Sequence, residues 1–93
     1  MLIRSQYKTQ LIDIAGKTIF ISEENKIKTI HENNFIILGD YKDKENAMKV
    51  LDLIGQSYNN FEMGFRCGVF QMPKDEEVNE LYDKEYLEDV NEE

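Results

Sequence analysis

The chain has 93 residues, 41% of them hydrophobic, and a formal net charge of −8. That length makes one domain with a small core, burying about 60–65% of the unfolded surface, and the apolar content argues against full disorder. The longest apolar run, Phe35 to Leu38, is far below the roughly 20 residues of a membrane span.

Leu2 to Gln6 reads as a short strand. Leu11 to Ile14 is a second, ended by Ala15-Gly16. Lys17 to Ser22 is rich in β-branched and aromatic residues and is the clearest early strand. Glu23-Glu24-Asn25 turns the chain into a strand over 26–31. There Ile27 and Ile30 break strict alternation, which predicts a bulge. Glu32-Asn33-Asn34 turns it again into Phe35 to Leu38. The spacing predicts a three-stranded antiparallel meander with short loops.

A helix is predicted over 43–58. Asp43 is suited to cap it, since its carboxylate accepts a first-turn N–H. Ala47, Val50, Leu51, Ile54 and Tyr58 form one apolar stripe on a 3.6-residue period. Gly55 weakens its last turn, and Asn59-Asn60 is expected to end it. Arg66 to Met72 reads as the last strand, stopped by Pro73, the only proline.

The charge is not spread evenly. Pro73 to Glu93 holds ten acidic side chains against Lys74 and Lys84, while residues 1–72 hold nine of each sign. The chain therefore divides into a charge-balanced body, 1–72, and an acidic segment, 73–93. Val78, Leu81, Tyr82, Tyr86 and Val90 cover about half a helical wheel at ~100° per residue. An acidic amphipathic helix over 76–90 is expected, which must dock on the body, a second copy or a partner. The fold class is α+β: an antiparallel sheet of about five strands with one packed helix. The first and last strands are candidates for neighbours.

Three segments occur in order: Met1-Leu2-Ile3-Arg4-Ser5-Gln6, Leu38-Gly39-Asp40-Tyr41 leading into Ala47 and Val50-Leu51, and Val69-Phe70-Gln71-Met72-Pro73. The pattern resembles a group of small uncharacterised proteins carried by prophages and other mobile elements of low-GC Gram-positive bacteria. It covers most of the body and not the tail. The resemblance implies a setting in which small accessory proteins bind and inhibit host machinery. It carries over no functional residue.

Catalytic patterns are weak. His31 is the only histidine, and no nucleophile elbow accompanies it. A Cys67–His31 pair lacks a third group and an activating context. Cys67, the only cysteine, reads as a small buried thiol. It excludes an internal disulfide, and a cytoplasmic home is expected. Met1 to Gln6 does not read as a signal peptide, because no apolar stretch follows Arg4. Structural zinc needs four N/S ligands. A calcium loop counted from Asp40 has lysines at its ligand positions, and one counted from Asp43 has Ala47 at position five and lacks the turn glycine. Gly64-Phe65-Arg66-Cys67-Gly68 is not a phosphate loop, having the wrong spacing and no lysine. No metal, cofactor or enzymatic activity is therefore expected.

Two binding surfaces remain. Arg4 and Arg66, the only arginines, lie on the predicted first and last strands with Gln6 and Gln71. If those strands pair, the four make one polar patch for phosphate or carboxylate, with Tyr7, Phe65 or Phe70 to stack on a base. A solvated sheet face with ion pairs is the commoner arrangement. The tail offers Glu77, Glu80, Leu81, Tyr82, Asp83, Tyr86, Glu88 and Asp89 to a partner. Such an acidic helix fits a basic groove, and its charge makes binding fast and salt-sensitive. Direct nucleic-acid binding and membrane binding are not expected. The leading expectation is a non-enzymatic binding protein that occupies a basic surface of a host macromolecule, such as a defence protein. The alternative is a homo-oligomer that sequesters an anionic metabolite or signalling nucleotide.

Overall fold

The computed structural model describes residues 1–62, 64 and 68–87, with the backbone alone for Phe61, Glu62, Tyr86 and Leu87. Six strands precede, flank or follow one long helix. They are β1 (Leu2–Arg4), β2 (Leu11–Asp13), β3 (Ile19–Ile21), β4 (Lys26–His31), β5 (Asn34–Asp40) and β6 (Val69–Gln71). Helix α1 (Lys44–Glu62) lies between β5 and β6. The chain then forms a 3-10 turn, Asp75–Glu77, one α turn, α2 (Val78–Leu81), and a π-helical turn, Tyr82–Leu87. We call these three turns the C-terminal helix.

The expected meander is present as the sheet β3-β4-β5, antiparallel throughout. Its second hairpin turns on Glu32-Asn33, whose φ angles of +50° and +68° are those of a mirror-image two-residue turn. That hand of turn matches the right-handed twist of the paired strands. The predicted bulge also occurs. Ile27 pairs with Gly39 and Lys28 with Ile37, so the extra residue is Leu38, on β5 rather than on β4. The extra step keeps Leu38 turned into the core.

A single sheet of about five strands is not formed. Strands β2-β1-β6 make a second three-stranded sheet, with β1 antiparallel to β2 and parallel to β6. The first and last strands are thus direct neighbours, Ile3 opposite Phe70. β1 is central in this sheet, and neither of its edge strands, β2 or β6, pairs with the meander. The two sheets instead share one core, in which Ile3 and Phe70 from one join Ile27 and Leu38 from the other. The predicted strands 2–6 and 17–22 are shorter, and of 66–72 the described part, 68–72, is a strand over Val69–Gln71.

Helix α1 closes that core with Ala47, Val50, Leu53 and Ile54 and lies against β3 and β4. Asp43 caps it as expected, accepting the Asn46 N–H at 2.8 Å. The helix does not stop at Asn59-Asn60 but runs to Glu62. Tertiary support outweighs the weak propensity of Gly55 and the two asparagines: the C-terminal helix lies along its flank, and Gln56 Nε2 donates to the Glu85 carbonyl at 2.9 Å. Among the described residues no helix is long and apolar enough to cross a membrane.

Candidate functional site

The residues picked out in the sequence separate into three places. The first is a buried polar knot. Gln6 is almost fully buried. Its Oε1 accepts the Asp40 N–H at 2.9 Å, and its Nε2 donates to the Asp40 and Pro73 carbonyls, both at 3.2 Å. The Gln6 N–H also donates to the Leu38 carbonyl at 2.8 Å. The Pro73 carbonyl accepts a second bond from the Tyr41 hydroxyl at 2.8 Å. Burial, first, and the nearby Asp75 and Glu77 carboxylates, second, push the Tyr41 hydroxyl well above the ordinary tyrosine value. Gly39 makes room for this ring, because a Cβ there would sit 2.8 Å from Tyr41 Cε2. Gln6 just past the end of β1, residues 38–41 and Pro73 thus meet at this knot. Their shared role is architectural, joining the two sheets.

Gln6 is therefore not part of a ligand patch, since its carboxamide is spent on backbone groups. Arg4 and Gln71 do lie side by side, in register on the exposed face of β1 and β6. Their neighbours on that face are Leu11 and Val69, both exposed. Gln71 Nε2 donates to the Ser5 carbonyl at 3.1 Å and the Met72 carbonyl at 2.8 Å. Arg66 and Phe65 lie outside the described residues. Of the expected phosphate patch the structure brings together one arginine and one glutamine that already has partners.

The third place is the C-terminal helix, which docks on its own body. Asp75 begins the docking: its Oδ1 accepts the Lys42 N–H at 3.0 Å and Asn46 Nδ2 at 3.2 Å, at the N-terminus of α1. A carboxylate is favoured there by the exposed N–H groups of the first turn. Val78 is fully buried, and Leu81 and Tyr82 pack against the core. Lys49 braces the contact, donating to Asn79 Oδ1 at 2.7 Å with its Nζ 5.5 Å from the Tyr82 ring centroid. Of the three destinations expected for the tail's apolar residues, the structure places Leu81 and Tyr82 on the body. The side chain of Tyr86, and all of Glu88, Asp89 and Val90, lie outside the described residues.

With its apolar side turned inward, the helix shows its acids to solvent. Glu76, Glu77, Glu80 and Asp83 are exposed. Glu77 accepts the Lys74 N–H at 2.9 Å, closing the first turn, and Glu80 pairs with Lys84 at 3.4 Å. Glu76 and Asp83 have no ion pair with any described residue. Between this helix and β6 runs a groove of about 720 Å³. Val69, Phe70 and Gln71 form one side, and Glu77, Glu80 and Leu81 the other. No single segment marks the groove, because it depends on how the tail docks.

The remaining candidates do not assemble further. His31 is an exposed residue at the tip of the second hairpin, 3.7 Å from Glu32. Cys67 lies outside the described residues. Among the described residues no group of three His, Cys, Asp or Glu side chains converges to hold a metal ion. No family model, curated protein or solved structure matches the chain.

Proposed function

We propose that the protein is a non-enzymatic binding protein that presents the acidic face of its C-terminal helix to a basic surface of a partner macromolecule. One observation carries this reading. Val78, Leu81 and Tyr82 are consumed by docking on the body, and four carboxylates are left facing solvent on that docked support. An acidic segment needed only for solubility has no reason to be docked. A docked one offers its charges in fixed positions, which favours fast, oriented encounter with a cationic surface. The family resemblance supports a host macromolecule as the target, a defence protein among the candidates.

The test is recovery of partners from host lysate at low and moderate salt, using the wild type and a Glu76→Lys, Glu80→Lys, Asp83→Lys variant. The wild type should retain partners that the variant loses, and moderate salt should weaken the retention. Equal recovery by both proteins removes the acidic face from the function.

A further inference from the structure

The open edge of β6 is the feature that the acidic-face reading leaves unused. In a strand, the N–H and C=O of one residue point to the same side, and successive residues alternate. The Gly68 carbonyl and the Met72 N–H are bonded to β1, at Leu2 and Arg4. Phe70 shares their direction. Val69 and Gln71 therefore turn their N–H and C=O groups the other way, into the groove, and no described residue bonds them. An unpaired edge of this kind is a template for another strand.

We propose that this groove receives an extended, cationic segment of a partner chain, which pairs with Val69 and Gln71 as a fourth strand of the sheet β2-β1-β6. The inference rests on the acidic-face reading and specifies how a basic partner is held. The groove walls choose the occupant. Opposite the strand edge stand Glu77 and Glu80, with Leu81 between and Glu85 and Lys84 beyond; Lys84 pairs with Glu80 at 3.4 Å, so three carboxylates face one lysine and the wall keeps an acidic excess. On the helix, Glu77 and Glu80 are three residues apart, about one turn or ~5 Å. In an extended segment, side chains of one face recur every ~6.8 Å. Alternate lysines or arginines can thus meet successive carboxylates, while small apolar residues between them lie against Val69 and Leu81. A second copy of this chain is a poor occupant, since joining two β6 edges would bring two acidic walls together.

The probe is a labelled eight-residue peptide of alternating lysine and valine, titrated into the full chain and read by fluorescence anisotropy. Its partner is the same peptide methylated on alternate backbone nitrogens, equal in charge but unable to donate along one edge. Hydrogen exchange of the Val69 and Gln71 amides is followed in parallel. The parent peptide should bind at least about tenfold more tightly than the methylated one, the loss expected from removing buried backbone hydrogen bonds. It should also slow exchange at both amides. Val69→Pro removes one outward donor while leaving the bonds to β1, a substitution that edge strands tolerate, and should weaken the parent peptide alone. Failure of the parent to bind, equal binding of the two peptides, or unchanged exchange overturns strand addition. Equal binding that is lost in a Glu77→Lys, Glu80→Lys variant overturns it while leaving the acidic-face reading standing. Peptide binding that persists when lysate recovery fails has the opposite meaning.

Discussion

The Gln6 side chain is bonded to the backbone of Asp40 as a neighbouring strand would be, accepting its N–H at 2.9 Å and donating to its carbonyl at 3.2 Å. Together with the Gln6 N–H, which donates to the Leu38 carbonyl, this carboxamide supplies lateral bonding that the two sheets do not provide through a ladder. Gln6→Ala would leave the Asp40 N–H without its acceptor in a half-buried site. A loss of about 2–4 kcal/mol is expected, from one or two unsatisfied polar groups. Urea unfolding followed by circular dichroism measures it. Gln6→Glu should be worse at neutral pH, because its second oxygen faces the Asp40 and Pro73 carbonyls. That carboxyl is held above its unfolded value of ~4.3, so it favours the protonated form when folded. The variant should regain stability as pH falls through the folded-state value, and lose it as pH rises. A pH-independent deficit would show that the carboxylate has swung out to water.

Tyr41 gives a second pH dependence of the same sign. Its hydroxyl, bonded to the Pro73 carbonyl, is held protonated by burial and then by the nearby Asp75 and Glu77 carboxylates. Its contribution is fully present below the unfolded tyrosine value of ~10 and is lost as pH rises toward the folded one, by up to ~1.4 kcal/mol per pH unit. Tyr41→Phe should cost about 1 kcal/mol at neutral pH and flatten the alkaline fall relative to the wild type. Parallel alkaline profiles for the two proteins would contradict the buried, bonded hydroxyl.

Gly39 is fixed by the same ring. A Cβ there would approach Tyr41 Cε2 to 2.8 Å and its oxygen to 2.9 Å, with Met72 Cε at 3.1 Å. The ring cannot retreat without giving up the Pro73 carbonyl. Gly39→Ala should therefore lower stability by about 1–3 kcal/mol, the cost of overpacking. Thermal unfolding measures it, and near-ultraviolet circular dichroism should report the displaced tyrosine. An unchanged melting temperature would mean that the knot is looser than its distances indicate.

What could be read from the sequence followed from period and punctuation. The Ile- and Phe-rich runs around Glu23-Glu24-Asn25 and Glu32-Asn33 gave the meander, and the stripe from Ala47 to Tyr58 gave α1. The parts that escaped depend on contacts between distant residues. Nothing local in Gln6 marks it as a bridge to Asp40, so one sheet was expected where there are two. Asn59-Asn60 looks like a helix end until the C-terminal helix lies along α1. Arg4 and Gln71 were rightly placed on neighbouring strands, but β1 ends at Arg4 and the turn that follows takes Gln6 out of their face. The acidic groove has no counterpart in any single segment, since one wall comes from β6 and the other from a helix that follows it.

The hairpin turn should be improvable. Glu32 and Asn33 hold φ angles of +50° and +68°, which glutamate adopts at a cost and asparagine or glycine adopts readily. Replacing the pair by Asn-Gly should stabilise the protein by about 0.5–1 kcal/mol. The turn lies at the far tip of the meander, so denaturant midpoints should rise while partner recovery stays unchanged. A fall in stability would mean that the Glu32 contact with His31, at 3.7 Å, outweighs the backbone gain.

Docking of the C-terminal helix and display of its acids are separable. Val78 is fully buried and provides the apolar anchor of α2. Val78→Asp would place a carboxylate in a fully buried apolar site, and burying it costs more than releasing the helix. The helix should come away from α1. Hydrogen exchange should then quicken across 75–87 and at the flank of α1, while the two sheets remain protected. The triple reversal of Glu76, Glu80 and Asp83 touches only exposed side chains, so its exchange pattern should match the wild type. If the acidic face acts as an ordered surface, both variants lose the partner, one by losing the support and the other by losing the charge. Retention by Val78→Asp alone would mean that charge suffices without order, and the fixed groove between β6 and the helix would then have no part in binding.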